Sequence, residues 1–249
     1  MKRALILAAG AGKRLGDLTK DIPKCLLPLD YGDVLIDFSL EALKEIGVSE
    51  VVIVSGLAEN GLRDYIKTKW SEQLSFKFIF NDKYKEYNNI YSAYLAREIW
   101  DNETILLNSD IIFNPDILKN LVETGRDQSL LVIDDKKQLT DESMKVIINS
   151  KGEIKAINKK LDIKKSFGEY IGITYLRGHE RVKFLESLDR NVNNKQFDLY
   201  YEDALAHVLD EASVFPCSTQ GKIWTEVDTK EDYEVAKKIA KEIKAVTIK

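Results

Sequence analysis

The chain has 249 residues, of which 44% are apolar and 31% are charged, and this balance excludes a largely disordered protein. The net charge of −4 excludes a chain-wide positive field of the kind that draws proteins to nucleic acids or anionic membranes. A phosphate-bearing ligand would therefore have to be held by locally placed positive charges. Two cysteines, Cys25 and Cys217, are too few for a disulfide framework and are typical of a reducing compartment.

The first residues combine two basic side chains with an apolar run, as a secretory signal does. The run ends at Ala9, which is too early for such a signal. No stretch approaches the roughly 20 apolar residues that span a bilayer. We therefore expect a cytoplasmic protein that binds neither membrane nor nucleic acid.

Short apolar runs alternate with helical patterns through the first half of the chain. Strands are predicted at residues 3–9, 51–54, 76–80, 104–107 and 130–133. Helices are predicted at residues 37–46, 59–70, 90–100 and 115–123, the last with Asn114 as its cap and Pro115 in its first turn. Such alternation predicts an α/β fold, with a mostly parallel sheet flanked by helices.

The second half of the chain has a different pattern. Strands are predicted at residues 145–148, 153–157 and 170–175, with few helices between them. Helical patterns return at residues 199–209 and at residues 229–243, a lysine-rich closing helix. No repeat or linker divides the chain, so we predict one domain over residues 1–249 whose second half adds a substrate-facing layer.

The densest functional signal is the loop after the first strand, which reads LAAGAGKRLGDLTKDIPK from Leu7. Its glycines, Gly10 and Gly12, allow the backbone to approach phosphate groups and to present N–H donors to them. Arg14 and Lys24 add the positive charge that a triphosphate needs. Leu15 stands where a dinucleotide-binding loop has its third glycine, and the Gly-Lys-Ser/Thr of a P-loop is absent.

This loop resembles the signature of the nucleotide-sugar pyrophosphorylase-like nucleotidyltransferases, which reads L-A-A-G-x-G-x-R, then threonine, then Pro-Lys. The resemblance implies a Rossmann-like α/β sandwich, with a nucleotide-binding half at about residues 1–135 and an acceptor-binding half at about residues 136–249. It also implies that Arg14 clamps the β- and γ-phosphates and that Lys24 stabilises the α-phosphate under attack. The nucleotide-binding residues that it implies are Leu7, Ala8, Ala9, Gly10, Gly12, Arg14, Gly56, Asn88 and Asn89.

Two acids follow apparent strands, Asp110 after residues 104–109 and Asp228 after residues 224–227. Considered alone, Asp110 is typical of a turn and Asp228 of a helix cap. The family resemblance implies instead that both bind Mg²⁺, which favours one or two carboxylates plus phosphate oxygens and water. Sugar-specific members often carry another aspartate where Asn108 stands, which leaves Glu226 as a compensating ligand.

Three later segments resemble the phosphocholine and 2-aminoethylphosphonate cytidylyltransferase branch. They are residues 88–92 (NNIYS), 168–173 (GEYIGI) and 198–203 (DLYYED). The resemblance implies CTP as the nucleotide and an aminoalkyl phosphate or phosphonate as the acceptor, whose cationic head suits aromatic faces and carboxylates. The candidates for that head are Glu169, Tyr200, Tyr201, Glu202, Asp203 and Trp224, and the resemblance implies that Lys145 and Lys159 contact the acceptor phosphate.

Alternatives to this acceptor site stay open. Tyr200 and Tyr201 are equally typical of core residues, and the acids after them suit the first turn of a helix. The two lysines are equally typical of the surface. Sequence alone also leaves open UTP or another nucleotide, and a homodimer.

The predicted reaction is Mg²⁺-dependent transfer of CMP from CTP to such an acceptor, with release of pyrophosphate. One alternative is a sugar-1-phosphate or polyol-phosphate nucleotidyltransferase. Another is a non-catalytic nucleotide-binding regulator, which would not need Arg14, Lys24, Asp110 and Asp228 together. The histidines, His179 and His207, do not form the His-x-Gly-His motif of the other cytidylyltransferase superfamily, and we predict that both are structural.

Overall fold

The computed structural model describes residues 3–29 and 32–247. Its strands are β1 (Arg3–Ala8), β2 (Glu50–Ser55), β3 (Ser75–Phe80), β4 (Thr104–Asn108), β5 (Ile111–Phe113), β6 (Ser129–Asp134), β7 (Lys145–Ile148), β8 (Ile154–Asn158), β9 (Gly168–Tyr175), β10 (Val214–Ser218) and β11 (Trp224–Glu226). Its helices are α1 (Leu35–Glu45), α2 (Glu59–Trp70), α3 (Asn89–Leu95), α4 (Asp116–Thr124), α5 (Gly178–Asn193), α6 (Tyr201–Ala206) and α7 (Lys230–Thr247).

The strands form a central mixed sheet in the order β10-β6-β9-β4-β1-β2-β3, with β7 and β8 attached beside β9. The pairs of β1 with β2 and β4, of β2 with β3, and of β6 with β10 are parallel. Strand β9 runs antiparallel to β4, β6 and β7. The α/β fold class predicted from the sequence is confirmed.

Alternating side chains of β1 enter two separate cores, because successive residues of a strand point to opposite faces of a sheet. Ala4, Ile6 and Ala8 join a core covered by helices α1, α2 and α4. Leu5 and Leu7 join the core on the other face, to which α3, α5 and α6 contribute. Helix α7 closes a third, smaller core. Both faces of the sheet are therefore covered, and the strand ends are left to form a site.

Several elements differ from the sequence-based expectation. Helix α5 was not predicted, because much of its surface is polar and its buried residues form a narrow stripe that includes Phe184 and Leu188. The helix predicted at residues 90–100 ends at Leu95 and continues as a short 3₁₀ turn, Arg97–Ile99. The helix predicted at residues 199–209 ends at Ala206. The short strands β5 and β10 were also missed, and Pro216 within β10 is unusual for a strand.

Candidate active site

A cleft of about 530 Å³ opens beside the carboxyl end of β1 and the turn after β4. Two groups of predicted residues line it. The first, here called the charged centre, comprises Arg14, Lys24, Asp110, Glu226 and Asp228. The second, here called the acceptor wall after its predicted role, comprises Lys159, Glu169, Tyr200 and Glu202.

The glycine loop reaches the cleft through a tight turn at Gly12. This residue has φ 59°, a left-handed conformation that favours glycine, and a Cβ there would lie 3.0 Å from Thr19 Oγ1. The Thr19 hydroxyl donates to the carbonyl of Gly12 at 2.8 Å and so closes the loop. Apart from Gly10 and its two chain neighbours, no described residue has an atom within 4 Å of a Cβ position at Gly10. The threonine of the signature therefore shapes the loop, and Gly10 leaves room for a ligand.

Lys24 is the central cation of the charged centre. Its Nζ lies 2.8 Å from Asp110 Oδ2 and 2.7 Å from Asp228 Oδ1. Arg14 Nη2 lies 2.6 Å from the other oxygen of Asp228. Burial by itself lowers the pKa of Lys24, but the charges of the two aspartates and the hydrogen bonds to them outweigh burial and raise it well above its ordinary value. Lys24 is therefore a fixed positive charge in the cleft.

The two aspartates meet through a small antiparallel ladder rather than at neighbouring strands of the main sheet. Strand β11 pairs with β5, with Glu226 opposite Ile111. The amide of Val227 donates to the carbonyl of Asp110 at 2.9 Å. This pairing brings Asp228 beside Asp110, where Lys24 contacts both.

Asp228 does not act as the cap of α7. Thr229 Oγ1 accepts a hydrogen bond from the amide of Asp232 at 3.2 Å, and Asp232 Oδ2 accepts one from the amide of Thr229 at 2.8 Å. Burial by itself raises the pKa of Asp228, but the positive charges of Lys24 and Arg14 outweigh burial. The pKa of Asp228 therefore lies below its ordinary value. The carboxylate of Asp228 is therefore charged, and its oxygens contact Lys24 and Arg14 in the cleft.

Glu226 completes a group of three acids with Asp110 and Asp228, whose nearest oxygens lie within 4.8 Å of one another. Loss of solvent and the charges of the two aspartates raise the pKa of Glu226. The side chain of Glu226 is exposed, so the charges of the two neighbouring aspartates are the main physical cause of this rise. Asp110 Oδ1 is buried without a hydrogen-bond partner among the described residues. An unpaired buried oxygen beside two further carboxylates fits Mg²⁺, which takes oxygen ligands.

The structure brings most of the predicted nucleotide-binding residues to the cleft. Those that line it are Leu7, Ala8, Ala9, Gly10, Gly12, Arg14, Asn88 and Asn89. Gly56 is not among the lining residues. A Cβ at Gly56 would lie 2.8 Å from Tyr84 Cβ and 2.9 Å from the carbonyl of Ala9. Gly56 is therefore needed for close packing against Tyr84 and Ala9. This role replaces the direct contact with the nucleotide that was predicted for it.

The side chains of Asn88 and Asn89 make hydrogen bonds to other residues of the protein. Asn88 Nδ2 donates to the carbonyl of Asp198 at 2.7 Å, and Asn89 Oδ1 accepts from the amide of Tyr201 at 2.9 Å. The ring of Tyr87 stacks on that of Phe197 with centroids 4.0 Å apart. These contacts connect the start of α3 to the start of α6, so the two asparagines join two segments that line the cleft.

Three residues predicted to contact the acceptor have structural roles instead. Lys145 is buried, and its Nζ donates to the carbonyls of Thr140, Asp141 and Ser143 at 3.0, 3.0 and 3.1 Å. Tyr201 is buried, and its hydroxyl lies 2.8 Å from that of Tyr170. Asp203 Oδ2 accepts a hydrogen bond from the amide of Tyr200 at 2.8 Å and so caps α6. The predictions of direct contact for Lys145, Tyr201 and Asp203 are corrected accordingly.

Trp224 also lies outside the cleft lining. Its indole N–H and its ring face both have partners within the protein. Its Nε1 donates to Asp134 Oδ2 at 2.6 Å, and Lys137 Nζ lies 4.5 Å from the centre of its ring. The same ammonium lies 3.3 Å from Glu169 Oε2. The aromatic face and the carboxylate that were predicted to receive a ligand cation thus hold the protein's own Lys137.

Gly172 and Asn108 are among the lining residues that were not predicted as site residues. Gly172 has φ 85°, and a Cβ there would lie 2.7 Å from Asn108 Nδ2. Asn108 Oδ1 accepts a hydrogen bond from the hydroxyl of Tyr201 at 3.2 Å. Gly172 was the available signal, since it allows β9 to approach the end of β4 closely.

Comparison with known proteins places this geometry in a family. The family model described as Nucleotidyl transferase matches residues 3–241. The choline-phosphate cytidylyltransferase of Streptococcus pneumoniae is 28% identical over 240 residues, covering 96% of this chain and 98% of its own length. The CTP:phosphoglutamine cytidylyltransferase of Campylobacter jejuni is 28% identical over 254 residues, covering 93% of this chain and 98% of its own length.

A solved structure of the CTP:phosphocholine cytidylyltransferase from Streptococcus pneumoniae has a TM-score of 0.77 and 26% identity, and the match covers 96% of this chain and 100% of that one. The family predicted from the glycine loop is confirmed, because the family model covers most of the chain. The chain belongs to the nucleotidyl transferase family and is a nucleotidyltransferase.

Proposed function

We propose that this nucleotidyltransferase transfers CMP from CTP to a small phosphate or phosphonate that carries a cationic nitrogen, and that it releases pyrophosphate. The observation that carries the proposal is the position of Lys24, a buried cation held between Asp110 and Asp228 in a cleft bordered by the glycine loop. A fixed positive charge there suits a reaction in which negative charge builds up on a phosphoryl group.

The reaction proceeds by in-line displacement. An oxygen of the acceptor's phosphate or phosphonate attacks the α-phosphorus of CTP, and the bond to the bridging oxygen of the β-phosphate breaks. Lys24 offsets the charge on the α-phosphate, while Arg14 and the N–H groups of the glycine loop hold the leaving pyrophosphate. No side-chain nucleophile is needed, since the acceptor oxygen is already ionised.

Asp110 and Asp228, with Glu226 beside them, are the residues that would hold Mg²⁺. When bound, the ion neutralises phosphate charge and orients the triphosphate. Asp110 is suited to this role through its unpaired Oδ1. Asp228 contacts both Lys24 and Arg14, and so links the metal ligands to the phosphate-binding cations.

The nature of the acceptor rests on the relatives and on the charge of the acceptor wall. The two relatives described above act, by their names, on choline phosphate and on phosphoglutamine, and both use CTP or form a cytidylyl product. The acceptor wall supplies Lys159 for the phosphate or phosphonate and the carboxylate of Glu202 for a cationic head. A neutral sugar would have no matching charge for Glu202.

A pyrophosphate-release screen tests this proposal. Four nucleoside triphosphates are crossed with phosphocholine, phosphoethanolamine, 2-aminoethylphosphonate, phosphoglutamine, glucose 1-phosphate and inositol 1-phosphate, each with Mg²⁺ and with chelator. We expect release with CTP and a nitrogen-containing acceptor only, and none with chelator. Release confined to a sugar or polyol phosphate would make the alternative nucleotidyltransferase activity correct.

A further inference from the structure

One oxygen of Glu202, a buried carboxylate of the acceptor wall, lacks a hydrogen-bond partner among the described residues. Glu202 lies in the first turn of α6, is 6% exposed, and contributes to the cleft lining. Its Oε2 atom has no hydrogen-bond partner within residues 3–29 and 32–247. An unpaired buried acceptor is costly, and a carboxylate more so than a neutral group. A ligand that brings a hydrogen-bond donor into the cleft would remove this cost.

The surroundings of Glu202 agree with that need. Burial raises the pKa of Glu202 to about 7, since its own backbone and the nearby polar groups of Tyr201 and Asn89 offset only part of the effect of burial. A cation placed beside the carboxylate would lower the pKa again and favour its charged form. A cationic donor thus gains both a hydrogen bond and a charge contact at Glu202, whereas a neutral hydroxyl gains only the hydrogen bond.

The same region is poorly suited to a quaternary ammonium group. Such a group has no N–H and is held chiefly by the faces of several aromatic rings. Of the three rings predicted for that role, Tyr201 is buried in the core and Trp224 already faces Lys137. Tyr200 alone of these three lines the cleft, and it is 47% exposed. Tyr84, Tyr87 and Tyr170 also line the cleft, but Tyr87 stacks on Phe197, Lys85 lies over the ring of Tyr84, and Tyr170 is 4% exposed. An N–H donor would gain a hydrogen bond to Glu202 Oε2 that a trimethylammonium head cannot make.

We propose that Glu202 reads the head group of the acceptor, and that this head group is an ammonium that retains N–H donors rather than a quaternary ammonium. This inference rests on the proposed function, since it concerns which cationic acceptor that reaction uses. It makes Glu202 a specificity-determining residue that distinguishes acceptors by the degree of methylation of their nitrogen.

A methylation series tests the inference on the unmodified protein. Phosphoethanolamine, its N-methyl and N,N-dimethyl derivatives, and phosphocholine share one phosphate and one positive charge and differ in the number of N–H donors. With CTP and Mg²⁺, we expect kcat/KM to fall along the series by about 10- to 100-fold, the range of a charge-assisted hydrogen bond. The largest step should be the loss of the last N–H.

The variant Glu202→Gln assigns the preference to this residue. We expect its kcat/KM for phosphoethanolamine to fall about 10- to 100-fold and that for phosphocholine to change less than about threefold. The matched control is Glu211→Gln. Glu211 follows α6 in the chain, is exposed, and contacts Lys183 outside the cleft lining. Thermal unfolding of both variants shows whether each is folded.

The outcomes separate the two proposals. Equal or better use of phosphocholine by the unmodified protein would overturn the inference and leave the proposed function standing. Failure of the whole series, with turnover of a sugar phosphate, would overturn both. A Glu202→Gln variant that is folded and keeps the original preference would show that the preference has another source, and would remove Glu202 from the role proposed here.

Discussion

The charged centre and the acceptor wall line the same cleft, but the protein builds them in different ways. In the charged centre, Lys24 contacts Asp110 and Asp228 directly, and Arg14 contacts Asp228. Of the residues predicted to read the acceptor, several instead stabilise the fold, as Lys145 does through three backbone carbonyls. The charged centre is thus held together by its own ion pairs, whereas only some of the residues predicted to read the acceptor line the cleft.

The largest effect should come from removing the central cation. We expect Lys24→Ala to lower kcat by about 10²–10³, as the loss of one charge-stabilising donor does, with little change in the KM for the acceptor. Single-turnover measurements on the purified variant check this. The matched control is Lys20→Ala, an exposed lysine of the same loop. Near-normal turnover of folded Lys24→Ala would mean that Lys24 only balances the two aspartates.

The next effect concerns the acids that Lys24 contacts. We expect Asp110→Asn and Asp228→Asn each to lower activity at moderate Mg²⁺ on the order of 100-fold, because a bound metal contributes several kcal/mol to charge stabilisation. Asp21→Asn, an exposed acid of the same loop, should change little. Titration of activity with Mg²⁺, with chelator as the zero point, provides the measurement. A variant with unchanged metal dependence would show that its aspartate has a structural role only.

The smallest effects distinguish two adjacent tyrosines of the predicted acceptor site. Tyr201→Phe removes a hydroxyl that bonds to Tyr170 and Asn108, so we expect it to cost about 1 kcal/mol of unfolding free energy and about 2–4 °C in Tm. Tyr200→Ala should leave stability within about 0.5 kcal/mol and raise the acceptor KM severalfold. Thermal unfolding and steady-state kinetics of both variants measure the contrast. The reverse pattern would exchange their roles.

Sequence reasoning was most informative where the signal was contiguous. The glycine loop predicted the family, because its residues occur at fixed spacing within one segment and each has a physical role, as Gly12 and Thr19 show. Asp110 and Asp228 are far apart in sequence, and only the family resemblance paired them. The structure supplies the cause, since β5 and β11 pair and Thr229 takes over the capping of α7.

The acceptor wall was harder to predict, because the same residue types serve a ligand site, a core and a helix cap. The adjacent residues 200–203 divide among these roles. Tyr200 lines the cleft, Tyr201 packs in the core, Glu202 is buried beside the cleft, and Asp203 caps α6. Neither the interpretation as a cation site nor the interpretation as core and helix start describes all four. Which way each side chain points depends on the packing of α6, which composition and spacing do not determine.

Among the described residues, no helix is both long and apolar enough to cross a membrane.

The most direct test of the account is a competition between two acceptors in one reaction. Phosphoethanolamine and glucose 1-phosphate are supplied at equal concentration with limiting CTP and Mg²⁺, and the two cytidylyl products are separated and quantified. Their ratio equals the ratio of the kcat/KM values. We predict at least about tenfold more product from phosphoethanolamine, since one favourable charge contact is worth about 1.4 kcal/mol or more. Equal amounts of the two products, or an excess of CDP-glucose, would contradict the account.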